Sequence, residues 1–227
     1  MTIQEYFGDW ASVIDLHQAD TLLRKVIALK QPLCPSVNNI FKAFKLCSLS
    51  SLRVVILGQD PYPYCKNGSP VATGIAFANT IDTPITAYSP SLAILRESVI
   101  DFTKPHGNIN FDPSLEKWEE QGVLMLNSAL SCKQGSVGSH TLIWRPFIKS
   151  FLSSLSLHSP GVVYVLMGSD AQSFESYINS KSNYIFKVKH PSWYARNKLA
   201  MPSSLWQDIN KILIGQNGYG IQWYKEC

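Results

Sequence analysis

The stretch Val54–Tyr62, reading V-V-I-L-G-Q-D-P-Y, constrains this chain more than any other. Four consecutive apolar residues, three of them β-branched, suit a strand buried on both faces, as in a parallel sheet covered by helices. Gly58 closes the run and lets the backbone turn where a side chain would obstruct it. Asp60 then stands at the strand's carboxyl end, held before Pro61 and followed by the ring of Tyr62. In open parallel sheets ligands bind at that end, so a carboxylate there is a candidate for chemistry.

Three further expected strands, the first two of them buried apolar runs, end in the same manner. Val123–Leu126 ends at Asn127, Val162–Met167 at Gly168-Ser169, and Tyr184–Val188 at His190-Pro191-Ser192. Helical periodicity is expected over about Trp10–Leu29, anchored by Val13, Leu16, Leu22, Leu23, Val26 and Ile27, and over a short piece with Ile40, Phe41 and Phe44. Further helices are expected at Ser91–Phe102 after the Ser89-Pro90 start signal, at Leu115–Gln121, Trp144–Leu155, Ala171–Ile178 and Leu205–Ile214. Asp60–Thr73, with its Pro, Gly, Asn and Ser, reads as irregular. Strands alternating with helices predict an α/β open sheet with a site along one edge.

The chain has 227 residues, 45% of them hydrophobic, which suits one domain spanning 1–227. Its net charge of +4, from 20 Lys+Arg against 16 Asp+Glu, fits a polyanionic partner without requiring one. The five cysteines are odd in number and show no C-x-x-C spacing, which argues against a disulfide framework or zinc site and fits reduced thiols. Met1–Trp10 lacks the apolar stretch of a signal peptide, and no run approaches transmembrane length. A soluble, intracellular protein is expected.

The strand ends and their surroundings supply one acid (Asp60), one imidazole (His190), amides (Gln59, Asn127), rings (Tyr62, Phe77) and small hydroxyls (Ser169, Ser192). With no second carboxylate beside Asp60, the paired-acid scheme of glycoside hydrolysis is disfavoured. No G-x-S-x-G elbow, Walker loop or H-E-x-x-H is present, and one Asp with one His is a thin metal-ligand set. An amide can read a base edge, a ring can stack on a base, and hydroxyls at Gly- or Pro-rich turns can bind phosphate. Together these point to a nucleobase pocket with a phosphate rail.

Gly58-Gln59-Asp60-Pro61-Tyr62 resembles the water-activating motif of the uracil-DNA glycosylases, family 1 type. The resemblance continues in order through Gly74-Ile75-Ala76-Phe77, Ser89-Pro90-Ser91-Leu92, Gln121–Asn127, Leu166–Gln172 and His190-Pro191-Ser192. It implies a three-layer αβα sandwich around a central, mostly parallel four-stranded sheet. It also implies hydrolysis of the uracil–deoxyribose bond in single- or double-stranded DNA, giving free uracil and an abasic site without cofactor or metal. On these positions Asp60 would activate water and stabilise the oxocarbenium-like sugar, and His190 would donate to uracil O2 as a neutral imidazole. Asn127 would read the base edge, Phe77 would stack on the base, Tyr62 would crowd the pyrimidine C5 position, and Gln59 would supply pocket backbone contacts. Ser89, Ser169 and Ser192 would grip phosphates. A DNA-mimicking inhibitor protein is a candidate partner. A monomer in the cytoplasm is the default expectation, or in the nucleus for a eukaryotic or viral source.

The chain departs from the family pattern at several points. Pro63 stands where the family usually has His, Thr73 replaces a frequent His, and the Tyr62–Phe77 loop is longer, with Tyr64-Cys65-Lys66-Asn67 as candidate insertion. After His190-Pro191-Ser192 the family has Pro-Leu-Ser, whose Leu wedges into the vacated stack. Here Trp193-Tyr194-Ala195 follow, so Tyr194, with its neighbour Trp193, is the candidate DNA wedge, and Arg196 and Lys198 would lie close to phosphate. Two other readings stay open: a related glycosylase with altered base choice, and a catalytically weak DNA-binding or polymerase-associated scaffold on the same fold.

Overall fold

The structure, a computed structural model, describes residues 3–100 and 108–226. Four strands form the central sheet: β1 (Val54–Gly58), β2 (Val123–Asn127), β3 (Val163–Met167) and β4 (Tyr184–Val188). Their order is β2-β1-β3-β4 and every pairing is parallel. Gly58 is level with Asn127, and Leu57 with Leu166, so the carboxyl ends share one edge. The chain leaves β1 for β2 on one flank and β3 for β4 on the other, which opens a crevice at the carboxyl edge between β1 and β3.

The strand runs sort by parity. Val55, Leu57, Leu124, Leu126, Tyr164 and Leu166 face one apolar layer, and Val54, Ile56, Val123, Met125, Val163, Val165 and Met167 face the other. That is the period-2 geometry of a strand, and burial on both sides is why these runs are apolar without interruption. The first layer holds α1 (Leu16–Ala28) and α3 (Thr141–His158), packed through Trp10, Phe44, Phe147 and Phe151. The second holds α2 (Pro90–Val99), α4 (Pro191–Asn197) and α5 (Ser204–Asn217), with Trp118, Trp206 and Trp223 in mutual contact. Four buried indoles find acceptors, among them Trp10 on Cys47 O (2.7 Å) and Trp206 on Ser98 Oγ (2.9 Å), as buried Trp N–H groups usually do, whereas the buried Trp223 N–H has none among the described residues.

Helix ends differ from expectation where a local cap outcompetes periodicity. The helix expected over Trp10–Leu29 is two pieces, a 3₁₀ segment at Gly8–Ser12 and then α1. Asp15 is extended and its carboxylate accepts the Gln18 N–H at 2.9 Å, so α1 begins only after it. Ala171–Ile178 likewise divides into Ser169–Gln172 and a 3₁₀ turn at Glu175–Tyr177. α2 ends at Val99 because Ile100 turns extended; Phe102, the expected end, lies outside the described residues. Among the described residues no helix is long and apolar enough to cross a membrane.

The irregular stretch after Asp60 contains an unexpected hairpin. Cys65–Lys66 pairs antiparallel with Ser69–Pro70. Asn67 and Gly68 both have positive φ, 51° and 78°, the Asn-Gly signature of a two-residue hairpin turn.

Candidate active site

The site is built outward from Gly58. A Cβ at this position would lie 2.6 Å from Asn127 Oδ1 and 2.7 Å from Phe77 Cζ. Only glycine lets the amide of β2 and the Phe77 ring converge over the end of β1. Beyond it, Gln59 O accepts the Ala129 N–H (2.9 Å) and the Ser128 hydroxyl (2.8 Å), so the turn is pinned to the segment leaving β2.

Asp60 is half-buried, and its Oδ2 accepts the backbone N–H of Gly138 at 2.6 Å. Burial pushes its carboxyl above the ordinary range; the Gly138 N–H works against that shift, and nearby Asp170 adds to it. The carboxylate is thus oriented by one strong bond, with its second oxygen left for a ligand or water.

Asp60, Tyr62, Phe77, Asn127, Ile40 and Leu130 line a narrow pocket with about 350 Å³ of atom-free space, its mouth included. Phe77 is 6% exposed and its backbone is left-handed, with φ 66°. A bulky residue there is a genuine outlier, and such strain persists only where the surroundings enforce it. The Tyr62 hydroxyl donates to Phe77 O at 2.8 Å, tying the two rings together. No described residue hydrogen-bonds the half-buried side-chain amide of Asn127. Partly buried amides normally find partners, so this one is poised for a ligand that both donates and accepts.

His190 enters from the end of β4, its ring centroid 5.5 Å from that of Phe77. It is the N-cap of α4: Nδ1 accepts the Ser192 N–H (3.2 Å) and lies 2.8 Å from Ser192 Oγ, which takes an N–H from Arg196 at 3.2 Å. An Nδ1 that accepts puts the proton of the neutral ring on Nε2. Burial, with Arg196 adding to it, pushes the imidazole pKa down to about 4. Gly168 (φ 91°) makes this placement possible, since a Cβ on it would sit 2.9 Å from His190 Cβ. Ser169 is exposed beside this glycine at the start of its short helix.

Asp60, Tyr62, Phe77, Asn127 and His190 therefore converge, with Gln59 engaged through its carbonyl and Ser169 and Ser192 at the rim. Ser89 does not join the rim. It is 4% exposed, and its hydroxyl is taken up by Asn79 Nδ2 (2.8 Å) and the Tyr64 hydroxyl (2.7 Å). Tyr194, 9% exposed, packs into the layer of α2, while Trp193 is half-buried with Lys189 Nζ 5.5 Å from its ring centroid. Gly138 and Tyr64 escaped the sequence reading. A backbone donor leaves no trace in side-chain identity, and a tyrosine in a polar loop carries no signal of its partner.

The fold and site together define an α/β protein with a narrow pocket, lined by an acid, an amide and two aromatic rings, at a parallel-sheet edge. The profile described as the uracil DNA glycosylase superfamily matches residues 44–214. A uracil-DNA glycosylase of Yersinia pestis is 36% identical over 194 residues, covering 83% of this chain and 80% of that protein, and one from Yersinia pseudotuberculosis is similar to the same extent. Among solved structures, mimivirus uracil-DNA glycosylase superposes with TM-score 0.78 at 24% identity, covering 97% of this chain and 86% of that one. A mimivirus variant solved in complex with UGI gives 0.75 at 25% identity, over 88% and 79%. The chain belongs to the uracil DNA glycosylase superfamily.

Proposed function

We propose that this chain excises uracil from DNA, hydrolysing the N-glycosidic bond to release free uracil and leave an abasic site for base excision repair. The observation that carries the proposal is the convergence, across Gly58, of the unbonded Asn127 amide, the Phe77 ring and the Asp60 carboxylate. A nucleotide must leave the stack to reach such a pocket. Phe77 then stacks on the base. Asn127 donates to a carbonyl oxygen and accepts from a ring N–H, the pair uracil offers and cytosine does not. Tyr62 stands against C5 and leaves no room for a methyl group.

As the glycosidic bond lengthens, negative charge gathers on uracil O2 and positive charge on the sugar. His190 Nε2–H donates to the first, and a donor serving charge that exists only in the transition state lowers the barrier. A pKa near 4 keeps the ring neutral, so it stabilises by hydrogen bonding and does not transfer a proton. Asp60 faces the sugar, stabilises its cationic character and orients the attacking water. Ser169 and Ser192 contact phosphates. Trp193 is the more accessible of the two wedge candidates; insertion of Tyr194 requires it to leave the α2 layer.

The substrate is uracil-containing DNA, single- or double-stranded. A DNA-mimicking inhibitor is a fitting partner, since a mimivirus relative was solved with UGI. The chain acts as a monomeric, single-domain protein inside the cell. Asp60→Asn tests the reading against the scaffold alternative. Cleavage of a uracil-containing oligonucleotide should fall on the order of 10²–10³-fold, as for loss of a transition-state charge partner, with binding retained. Unchanged cleavage would remove Asp60 from the mechanism.

A further inference from the structure

Behind the face that Tyr62 turns to the base pocket lies a second, wider cleft with about 1000 Å³ of atom-free space, its mouth included, between the Cys65–Lys66/Ser69–Pro70 hairpin and the 79–90 segment. Tyr62 lines the pocket, whereas Tyr64 and Ser89 line the cleft. The partition at this point is a pair of rings, Tyr62 and Tyr64, with centroids 5.7 Å apart and planes tilted by 38°.

Both rings are tied at their tips. Tyr62 donates to Phe77 O at 2.8 Å, and the Tyr64 hydroxyl lies 2.7 Å from Ser89 Oγ. Ser89 is itself clamped: its Oγ accepts from Asn79 Nδ2 and its N–H donates to Asn79 Oδ1, each at 2.8 Å. Asn79 is 2% exposed, and its backbone N–H is bound to Pro113 O. Ser89 also caps α2, accepting the Ala93 N–H on its carbonyl. The Val71 N–H on Tyr64 O fixes the root of the hairpin. A group pressing on Tyr62 from the pocket therefore presses Tyr64 against the start of α2.

We propose that Tyr64, held by the Ser89–Asn79 pair, is a positioning residue for base selection: it buttresses Tyr62 and makes the C5 wall rigid. The proposal rests on the reading of Tyr62 as the ring that meets pyrimidine C5. Without Tyr64, Tyr62 loses the ring packed against it on the side of the second cleft. A yielding apolar wall discriminates one methyl group by only about 10–200-fold; Tyr64 is 43% exposed, so its stiffness comes from its hydroxyl contact with the clamped Ser89 and not from close packing.

The test uses oligonucleotides carrying a single uracil, thymine or 5-hydroxymethyluracil in one sequence context. Full-length wild type, Tyr64→Phe, Tyr64→Ala and Tyr62→Ala are compared under single-turnover conditions. The readout is the rate on each 5-substituted base divided by the rate on uracil, a ratio that a general loss of stability does not move. Tyr64→Ala should raise the ratio about tenfold or more, within the range a loosened methyl wall commands. Tyr64→Phe, which keeps the ring and loses only the hydroxyl bond, should raise it roughly threefold, the value of about one neutral hydrogen bond. Tyr62→Ala should raise it at least as much as Tyr64→Ala. If Tyr62→Ala raises the ratio while both Tyr64 variants stay at the wild-type value, the buttress is overturned and Tyr62 acts alone. If Tyr62→Ala leaves the ratio unchanged, Tyr62 does not meet C5 and the buttress falls with that reading. Should Tyr64→Ala not fold, Tyr64→Phe and Tyr64→Leu decide, and wild-type ratios in both would overturn the proposal.

Discussion

Asn127 and His190 bring opposite requirements to one pocket. The amide has to stay unbonded until a base arrives, and the imidazole has to stay neutral while buried beside Arg196. The second requirement fixes a pH signature. The unfolded imidazole titrates near about 6.5, and the folded one near about 4. Between these values the unfolded chain binds a proton that the native chain refuses, so His190 removes stability as pH falls through that window. Asp60 has the reverse sign: its folded pKa is raised, so its ionised form costs stability at neutral pH and protonation relieves that cost. Asp60→Asn should therefore raise the Tm at pH 7, with the gain shrinking as pH falls toward the ordinary carboxylate range. Nitrogen-15 NMR of His190 should report an unprotonated Nδ1 and a protonated Nε2, unchanged between about pH 5.5 and 8. An imidazole titrating near its ordinary value would contradict the neutral-donor account.

At the scale of elements, two glycines at strand ends decide what can converge. Gly168 is the cleaner test, because the three atoms nearest a Cβ there all belong to His190. Gly168→Ala adds a Cβ 2.9 Å from His190 Cβ on a backbone with φ 91°. Displacing a catalytic group by a fraction of an ångström to an ångström costs up to about 10²-fold, so kcat should fall by about 10–100-fold with KM nearly unchanged. An unaltered kcat would show that His190 tolerates the shift. Much of this edge was legible in the sequence, because a strand buried on both faces needs an unbroken apolar run, and the turn that ends it needs Gly, Asn or Pro. The runs of β1, β2 and β3 accordingly lie within a residue of expectation; the edge strand β4, with Tyr184 and Lys187 exposed, is not such a run but also falls where expected, and the polar ends of all four meet. The break before α1 was not legible, since Asp15 competes as a cap with a continuing apolar stripe. Nor was the left-handed Phe77, whose conformation comes from the rings and strands around it. Ser89 read as a surface serine because a Ser-Pro start signal carries no information about Asn79 and Tyr64.

For the whole molecule, the sheet is a partition between two apolar layers that do not share side chains. Ile148 lies in one layer and Ile209 in the other, both fully buried. Ile148→Val and Ile209→Val should each cost about 0.5–1.5 kcal/mol in urea unfolding. The double variant should lose the sum to within about 0.5 kcal/mol. A larger coupling would mean that the sheet transmits packing changes between layers. The same partition leaves the carboxyl edge as the place where both layers and all four strands contribute to one site, and the account of uracil excision depends on that edge. Its most direct test is incubation of the protein, in EDTA, with a labelled single-stranded oligonucleotide carrying one central uracil, followed by alkali, beside thymine and cytosine controls. The account predicts scission at uracil and at neither control base; an intact uracil strand that the protein nevertheless binds would contradict it.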